Sequence, residues 1–297
     1  MSWTRLRKAV VLGTAAALLL AAQAEAEVLL RDDFNAPPLD TSKWSVPTGP
    51  GTFLGRTQIR PPSSTLSITA GSIRLQLDTY NPWSRVPGDS FLGSEIGTVD
   101  TYEIEDGLIV EARVRLVSPL PGGIVGSLFS YGLSGDVRDE IDFELLSNDL
   151  VAAEERVLTN VFDSHNFIFP GVHAHAGVAG LDLDGFHVYR IEWFPDRVIW
   201  YVDNVFVREE TGTVPDDPQN IRLNFWAPDT FFKAAYDARL VPAAAPEDNE
   251  IYFYEVDWVK IRRPLPLSAR LRPWAGPALG VLAVLAVAVA IVRRSRA

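Results

Sequence analysis

Apolar and polar positions alternate along most of this chain. From Leu108 to Leu116 the residues Leu108, Val110, Ala112, Val114 and Leu116 share one parity, and Ile109, Glu111, Arg113 and Arg115 share the other. Ser72 to Asp78 repeats the pattern, with Ile73, Leu75 and Leu77 on one side. Period two is the period of a strand, whose successive side chains point to opposite faces. Val188–Trp193 and Val198–Val202 flank Phe194-Pro195-Asp196-Arg197, and Asp203-Asn204 leads into Val205–Arg208. Punctuation by Pro, Asp, Asn and Gly about every ten residues predicts an antiparallel sandwich or barrel. No stretch between the two chain ends holds a helical period for three turns. Ala227 to Asn249, rich in Pro, Ala and Asp, predicts a loop at a sheet edge or cleft rim.

The two ends break the pattern. Arg5, Arg7 and Lys8 precede an uncharged run from Ala9 to Ala22, and Ala22-Gln23-Ala24-Glu25-Ala26 follows. A basic start, a short apolar core and small residues predict a signal peptide over 1–26, cut after Ala24 or Ala26. Trp274 to Val292 is nineteen uncharged residues, followed by Arg293, Arg294 and Arg296. That length suits a bilayer core, and the basic tail belongs on the cytoplasmic side. The expected organisation is a domain over 27–262, a linker over 263–273 and a transmembrane helix with its tail over 274–297. The chain is then exported and anchored through its C-terminal helix; a sorting tail removed during surface attachment is the alternative.

Between the ends, Glu27 to Leu265 carries 19 basic against 37 acidic residues, a net charge of −18. Such a surface argues against nucleic acid as a partner and suits a neutral polymer bound by aromatic and hydrogen-bonding groups. The chain has no cysteine, which excludes a disulfide framework, a thiol nucleophile and a Cys-ligated metal. Its length allows a large core without staples, and a monomer is expected. There is no Gly-rich phosphate loop and no Gly-x-Ser-x-Gly elbow. His173-x-His175 has the look of a metal pair, but with no Cys and no carboxylate at ligand spacing a loop or strand edge is the favoured reading.

The informative segment is Asp139-Glu140-Ile141-Asp142-Phe143-Glu144-Leu145-Leu146. As a strand it sends Ile141, Phe143 and Leu145 to the core, and Glu140, Asp142 and Glu144 into a row on the other face. Neighbours in that row sit ~7 Å apart and repel by roughly 2 kcal/mol at an effective dielectric near 20. A solvated acidic face tolerates this repulsion. A retaining glycosidase uses it, with one carboxylate ionised as nucleophile and one protonated as acid, about 5–5.5 Å apart. Residues four apart on a strand have Cα atoms ~13 Å apart, so only long side chains leaning inward close the gap.

At these residues the chain resembles glycoside hydrolase family sixteen, the all-β, antiparallel, concanavalin A-like jelly-roll enzymes. Glu140-Ile141-Asp142-Phe143-Glu144, without an extra bulge residue, is similar to the lichenase and xyloglucan-enzyme branch. Asp32-Asp33-Phe34 with Trp44 is similar to the family's opening strand. Phe186 to Trp193 with Trp200 to Asn204 resembles its central hairpin, and Ile221 to Trp226 and Tyr254 to Trp258 its late strands.

The resemblance implies a retaining endo-glycosidase acting on β-linked polysaccharide of β-1,3/1,4-glucan type. It implies Glu140 as nucleophile, Glu144 as general acid and then base, and Asp142 as the group that tunes both. It further implies Glu95, Tyr131, Asn160, Asn224 and Trp226 as substrate-binding. Parity alone puts Arg222, Asn224 and Trp226 on one face, opposite Ile221, Leu223 and Phe225. No cofactor is required for catalysis, and a structural Ca²⁺ is implied at Asp257. Two departures bear on the substrate: Arg138 stands where lichenases usually carry Trp, and Gly97 where they carry Arg. A transglycosylase that rebuilds envelope polysaccharide and a non-catalytic glycan-binding surface protein are the alternatives.

Overall fold

The alternation folds into two stacked antiparallel sheets, seen in a computed structural model that describes residues 26–47, 52–59, 66–69, 71–165 and 171–265. One sheet runs β12 (Ala174–Gly177), β11 (Arg156–His165), β10 (Val137–Leu146), β9 (Val125–Ser134), β16 (Asn220–Trp226), β7 (Phe91–Thr98) and β2 (Trp44–Ser45). The other runs β15 (Val205–Glu210), β14 (Arg197–Val202), β13 (His187–Phe194), β8 (Leu108–Leu116) and β17 (Ile251–Arg262). On the far side of β17 lie β6 (Ser72–Asp78), itself paired to β5 (Leu66–Thr69), and β1 (Val28–Asp32). A small hairpin, β3 (Thr52–Leu54) and β4 (Thr57–Ile59), lies parallel to the start of β7. All of these belong to one unit, Val28–Pro264.

Alternation decides which side chains fill the space between the sheets. In β8 the predicted inward set, Leu108, Val110, Ala112, Val114 and Leu116, is 0–3% exposed, and Ile73, Leu75 and Leu77 of β6 are fully buried. Ile141, Phe143 and Leu145 of β10 meet them from the first sheet, also fully buried. Phe143 packs edge-on against Tyr189 with centroids 5.3 Å apart, and Phe225 stacks on Tyr254 at 6.0 Å. Each such side chain contributes roughly 1.5–3 kcal/mol by leaving water. Trp200 of β14 is fully buried, and its Nε1 donates to the carbonyl of Asp142 at 3.0 Å. The outer sheet thereby anchors the middle of β10. In the opening segment, Trp44 Nε1 donates to Asp32 Oδ2 at 2.9 Å and its ring meets Phe34 at 5.7 Å.

β7 belongs to both sheets, pairing with β6 and β4 at its start and with β16 and β2 farther on. It passes between them at Gly93, where a Cβ would lie 2.5 Å from Thr57 Cγ2 and 2.6 Å from the Phe225 carbonyl. Only glycine fits that approach. The loop over 227–249 has no strand and a single 3₁₀ turn, Pro246–Asp248. Arg56 ties it down by donating to the carbonyls of Pro228 at 2.8 Å and Leu240 at 2.7 Å.

The pattern gave no sign of α1 (Ser147–Ala152), which follows β10 directly and ends with Ala153 in the left-handed region. Six residues are too few to display a helical period. The expected transmembrane helix over 274–297 lies outside the described residues, as do the signal peptide up to residue 25 and the linker from 266 onward. Among the described residues, no helix is long and apolar enough to cross a membrane.

Candidate active site

The face of β10 turned away from the core forms the floor of a cleft of about 1320 Å³. Eight of the nine residues singled out from the sequence line it: Glu95, Tyr131, Glu140, Asp142, Glu144, Asn160, Asn224 and Trp226. They come from five neighbouring strands, and register puts them in rows. One row runs Glu95, Asn224, Ser127, Glu144, Leu158; the next runs Gly97, Arg222, Phe129, Asp142, Asn160. A third runs Tyr131, Glu140, Phe162. Side chains on adjacent strands of one face stand about 4.5–5.5 Å apart, so each row is a line of contacts across the cleft.

The three carboxyl groups share one electrostatic environment. Burial pushes Glu144 up to about 8, the charge of Glu140 pushes the same way, and Arg138 opposes both. Asp142, 4% exposed, is raised well above the usual carboxylate value by burial first and then by Glu140 and Glu144. Glu140 is raised by burial too, but Arg138 and a hydrogen bond with Asp142 pull it back. Arg138 Nε and Nη2 each approach Glu140 Oε2 at 2.6 Å. All three carboxyls are thus raised by burial, and Glu140 alone of the three also receives hydrogen bonds from Arg138, which give it the best support as an anion.

Around this centre the polar groups are poised. Glu95 accepts from Arg222 Nη1 at 3.2 Å and from Asn224 Nδ2 at 3.3 Å, partners that offset the upward push of burial on its carboxyl. Asn224 Oδ1 and Trp226 Nε1 are buried with no protein partner, as expected of groups that await a hydroxyl or a water. Asn160 Oδ1 accepts from the backbone of Val161 at 3.0 Å. Tyr131 lies under the guanidinium of Arg222 at 4.8 Å. Trp226 faces the cleft as parity predicts, yet it is only 8% exposed, packed beside Ile59, Val125, Leu146 and Leu158 and capped by Phe232 at 6.1 Å.

Gly97 is the departure the fold compensates. Arg222 stands directly across from it on β16, where a Cβ at 97 would meet the Arg222 side chain at 3.3 Å. The cation that the resemblance puts at 97 reaches Glu95 from 222 instead. His173 and His175 lie on the cleft wall at and just before the edge strand β12. Among the described residues no three His, Cys, Asp or Glu side chains gather as a metal site.

Asp257 is the ninth residue, and it lies on β17 of the other sheet, away from the cleft. Its carboxylate accepts from Arg113 Nη1 at 2.5 Å. An ion held through Asp257 would have to displace that guanidinium.

Sequence reasoning missed Ser127, Phe129 and Phe162 on the cleft floor, although the alternation of Gly126 to Tyr131 groups Ser127 and Phe129 with Tyr131. It had no access to Phe53, Phe231 and Phe232, which reach the cleft from the β3–β4 hairpin and the loop after β16.

Comparison with known proteins bears on the family. The sequence model described as Glycosyl hydrolases family 16 matches residues 62–260. A beta-glucanase of Paenibacillus macerans is 36% identical over 109 residues, covering 35% of this chain and 42% of that protein. A beta-glucanase of Fibrobacter succinogenes is 26% identical over 191 residues, covering 62% of this chain and 50% of that protein. The chain thus matches half or less of the length of these two relatives. Among solved structures, the Bacillus licheniformis beta-glucanase superposes with a TM-score of 0.60 at 23% identity, covering 82% of this chain and all 100% of that one. The laminarinase catalytic domain of Thermotoga maritima gives 0.62 at 18% identity over 82% of this chain and 100% of its own. The structural likenesses speak to the fold; the family match spans both sheets and the carboxylate strand, and on it this chain belongs to the glycosyl hydrolases family 16.

Proposed function

We propose that this chain is a retaining endo-glycosidase that hydrolyses β-linked glucan. The observation that carries the reading is the row Glu140, Asp142, Glu144 on the floor of an open cleft, with Arg138 hydrogen-bonded to Glu140. In the first step Glu144 donates its proton to the glycosidic oxygen while Glu140 attacks the anomeric carbon, giving a glycosyl ester and a released chain end. In the second, Glu144 takes a proton from water, the oxygen attacks the same carbon, and the ester's electron pair returns to Glu140. Asp142, hydrogen-bonded to Glu140, adjusts the charge of both. No cofactor enters the chemistry.

Glu95, Asn160, Asn224 and Tyr131 supply hydrogen bonds to sugar hydroxyls, and Trp226 offers its edge and the part of its face left uncovered. An open cleft rather than a closed pocket suits cleavage within a polymer. The similar beta-glucanases of Paenibacillus macerans and Fibrobacter succinogenes point to the same polymer class. We also read the chain as exported and membrane-anchored, from the residue patterns over 1–26 and 274–297.

The test is product release by the full chain from mixed-linkage β-glucan, laminarin, xyloglucan, agarose and carrageenan, resolved by mass. Oligosaccharides from a β-glucan are the expected result. Binding without cleavage across the panel would move the protein to the glycan-binding class, and products longer than an oligosaccharide offered as substrate would mark a transglycosylase.

A further inference from the structure

Arg138 lines the cleft but has no part in those roles. It precedes Glu140 by two positions on β10, so both side chains leave the strand on the same face. Its Nε and Nη2 converge on Glu140 Oε2 at 2.6 Å, and its guanidinium lies 3.8 Å from the ring centroid of Phe162. Phe162 is the residue directly across from Glu140 on β11. The arginine is therefore held between an aromatic ring and a carboxylate, with only 26% of its side chain exposed. Among the described residues, no other cation forms an ion pair with Glu140.

We propose that Arg138 is the positioning residue of the nucleophile: its guanidinium fixes the Glu140 carboxylate for attack and takes up its returning charge when the sugar leaves. The inference rests on the assignment of Glu140 above and adds to it a residue that stands where lichenases usually carry Trp. A guanidinium bonded to the carboxylate stabilises the free anion more than its ester, because the ester oxygen carries less charge. Arg138 therefore makes departure of Glu140 in the second step easier. Its contribution to the first step is alignment. Two neighbouring acids crowd the same row; the charge of Arg138 favours the ionised form at all three, and its hydrogen bonds go to Glu140.

The experiment compares wild type, Arg138→Gln and Arg138→Lys as full chains. Removing a charge-assisted hydrogen bond of this kind lowers kcat by about 10- to 100-fold. KM falls with kcat, because the glycosyl-enzyme accumulates and is visible as a sugar adduct on Glu140 in quenched samples. Arg138→Lys restores part of the loss. A kcat unchanged in a folded Arg138→Gln variant overturns the inference.

A second measurement needs no turnover. The carboxyl ¹³C signal of Glu140, assigned by its loss in Glu140→Gln, is titrated in wild type and Arg138→Gln. Its midpoint is expected to rise by about one pH unit or more in the variant. An unmoved midpoint overturns the inference whatever the substrate proves to be. If the wild type cleaves no polymer, the hydrolase reading fails by itself, and the titration still decides whether Arg138 governs Glu140.

Discussion

Glu140 and Glu144 are four residues apart, and their environments separate them. Burial raises both; at Glu144 the charge of Glu140 pushes the same way, while at Glu140 the charge and hydrogen bonds of Arg138 pull back. Replacing either by Gln is expected to lower kcat by ~10³-fold or more while the fold persists, because neither side chain supports the core. Retained turnover in both variants would sink the mechanism. The acid role of Glu144 sets the alkaline limb of the rate profile, expected near its value of about 8. The same shift has a stability consequence. A carboxyl raised from 4.5 to about 8 in the folded state contributes most below 4.5, and the contribution is lost as pH rises through 8. Thermal melts of the wild type should therefore fall between about pH 5 and 8, and Glu144→Gln should flatten that decline and melt higher at pH 8. Equal slopes in the two proteins would contradict the burial argument. The row itself was legible from alternation. That Arg138 would hydrogen-bond to Glu140 was not legible, because alternation gives the shared face of the two side chains and not their contact.

At the scale of elements, β10 does two jobs on its two faces, and alternation separates them completely. Ile141, Phe143 and Leu145 pack inward while the carboxyl row faces the cleft. What holds the strand at the right depth is a contact from the other sheet, Trp200 Nε1 to the Asp142 carbonyl. Trp200→Phe keeps most of the apolar volume and removes that bond; it should cost about 1–2 kcal/mol, readable in denaturant unfolding. Its kcat should fall more than a distant core variant of equal stability loss; if the two fall alike, the anchor is structural only. Gly93→Ala tests the crossing of β7. A methyl that must displace Thr57 and the Phe225 backbone should cost about 1–3 kcal/mol and shift the partner strand β16, which carries Asn224 and Trp226. The strands were legible here, with bounds for β8 and β6 that agree with the pattern to the residue. Helix α1 was too short to read, and Gly93 gave no cue because its need for a bare backbone arises from segments about 36 and 132 positions away in the chain.

For the molecule as a whole, the Arg113–Asp257 pair bears on the calcium expected from family resemblance. Added Ca²⁺ or EDTA should leave the melting temperature unchanged; a rise of several degrees with Ca²⁺ would show that the pair opens to admit the ion. By itself the sequence determined the class of fold, the two faces of each strand and the identity of the carboxyl row. The all-β class, the faces of the strands and the placing of the carboxyls in one row follow from period-two alternation, a local property carried in each strand's own residues, while the jelly roll and the carboxyl roles were read from family resemblance. The tertiary structure decided which strands lie side by side. That put Arg222 across from Gly97 as the cation for Glu95, enclosed Trp226 under Phe232, and brought Phe53 and Phe231 to the rim. It also turned Asp257 toward an arginine. Register between distant strands depends on how the two inner faces pack, and no residue carries that information alone.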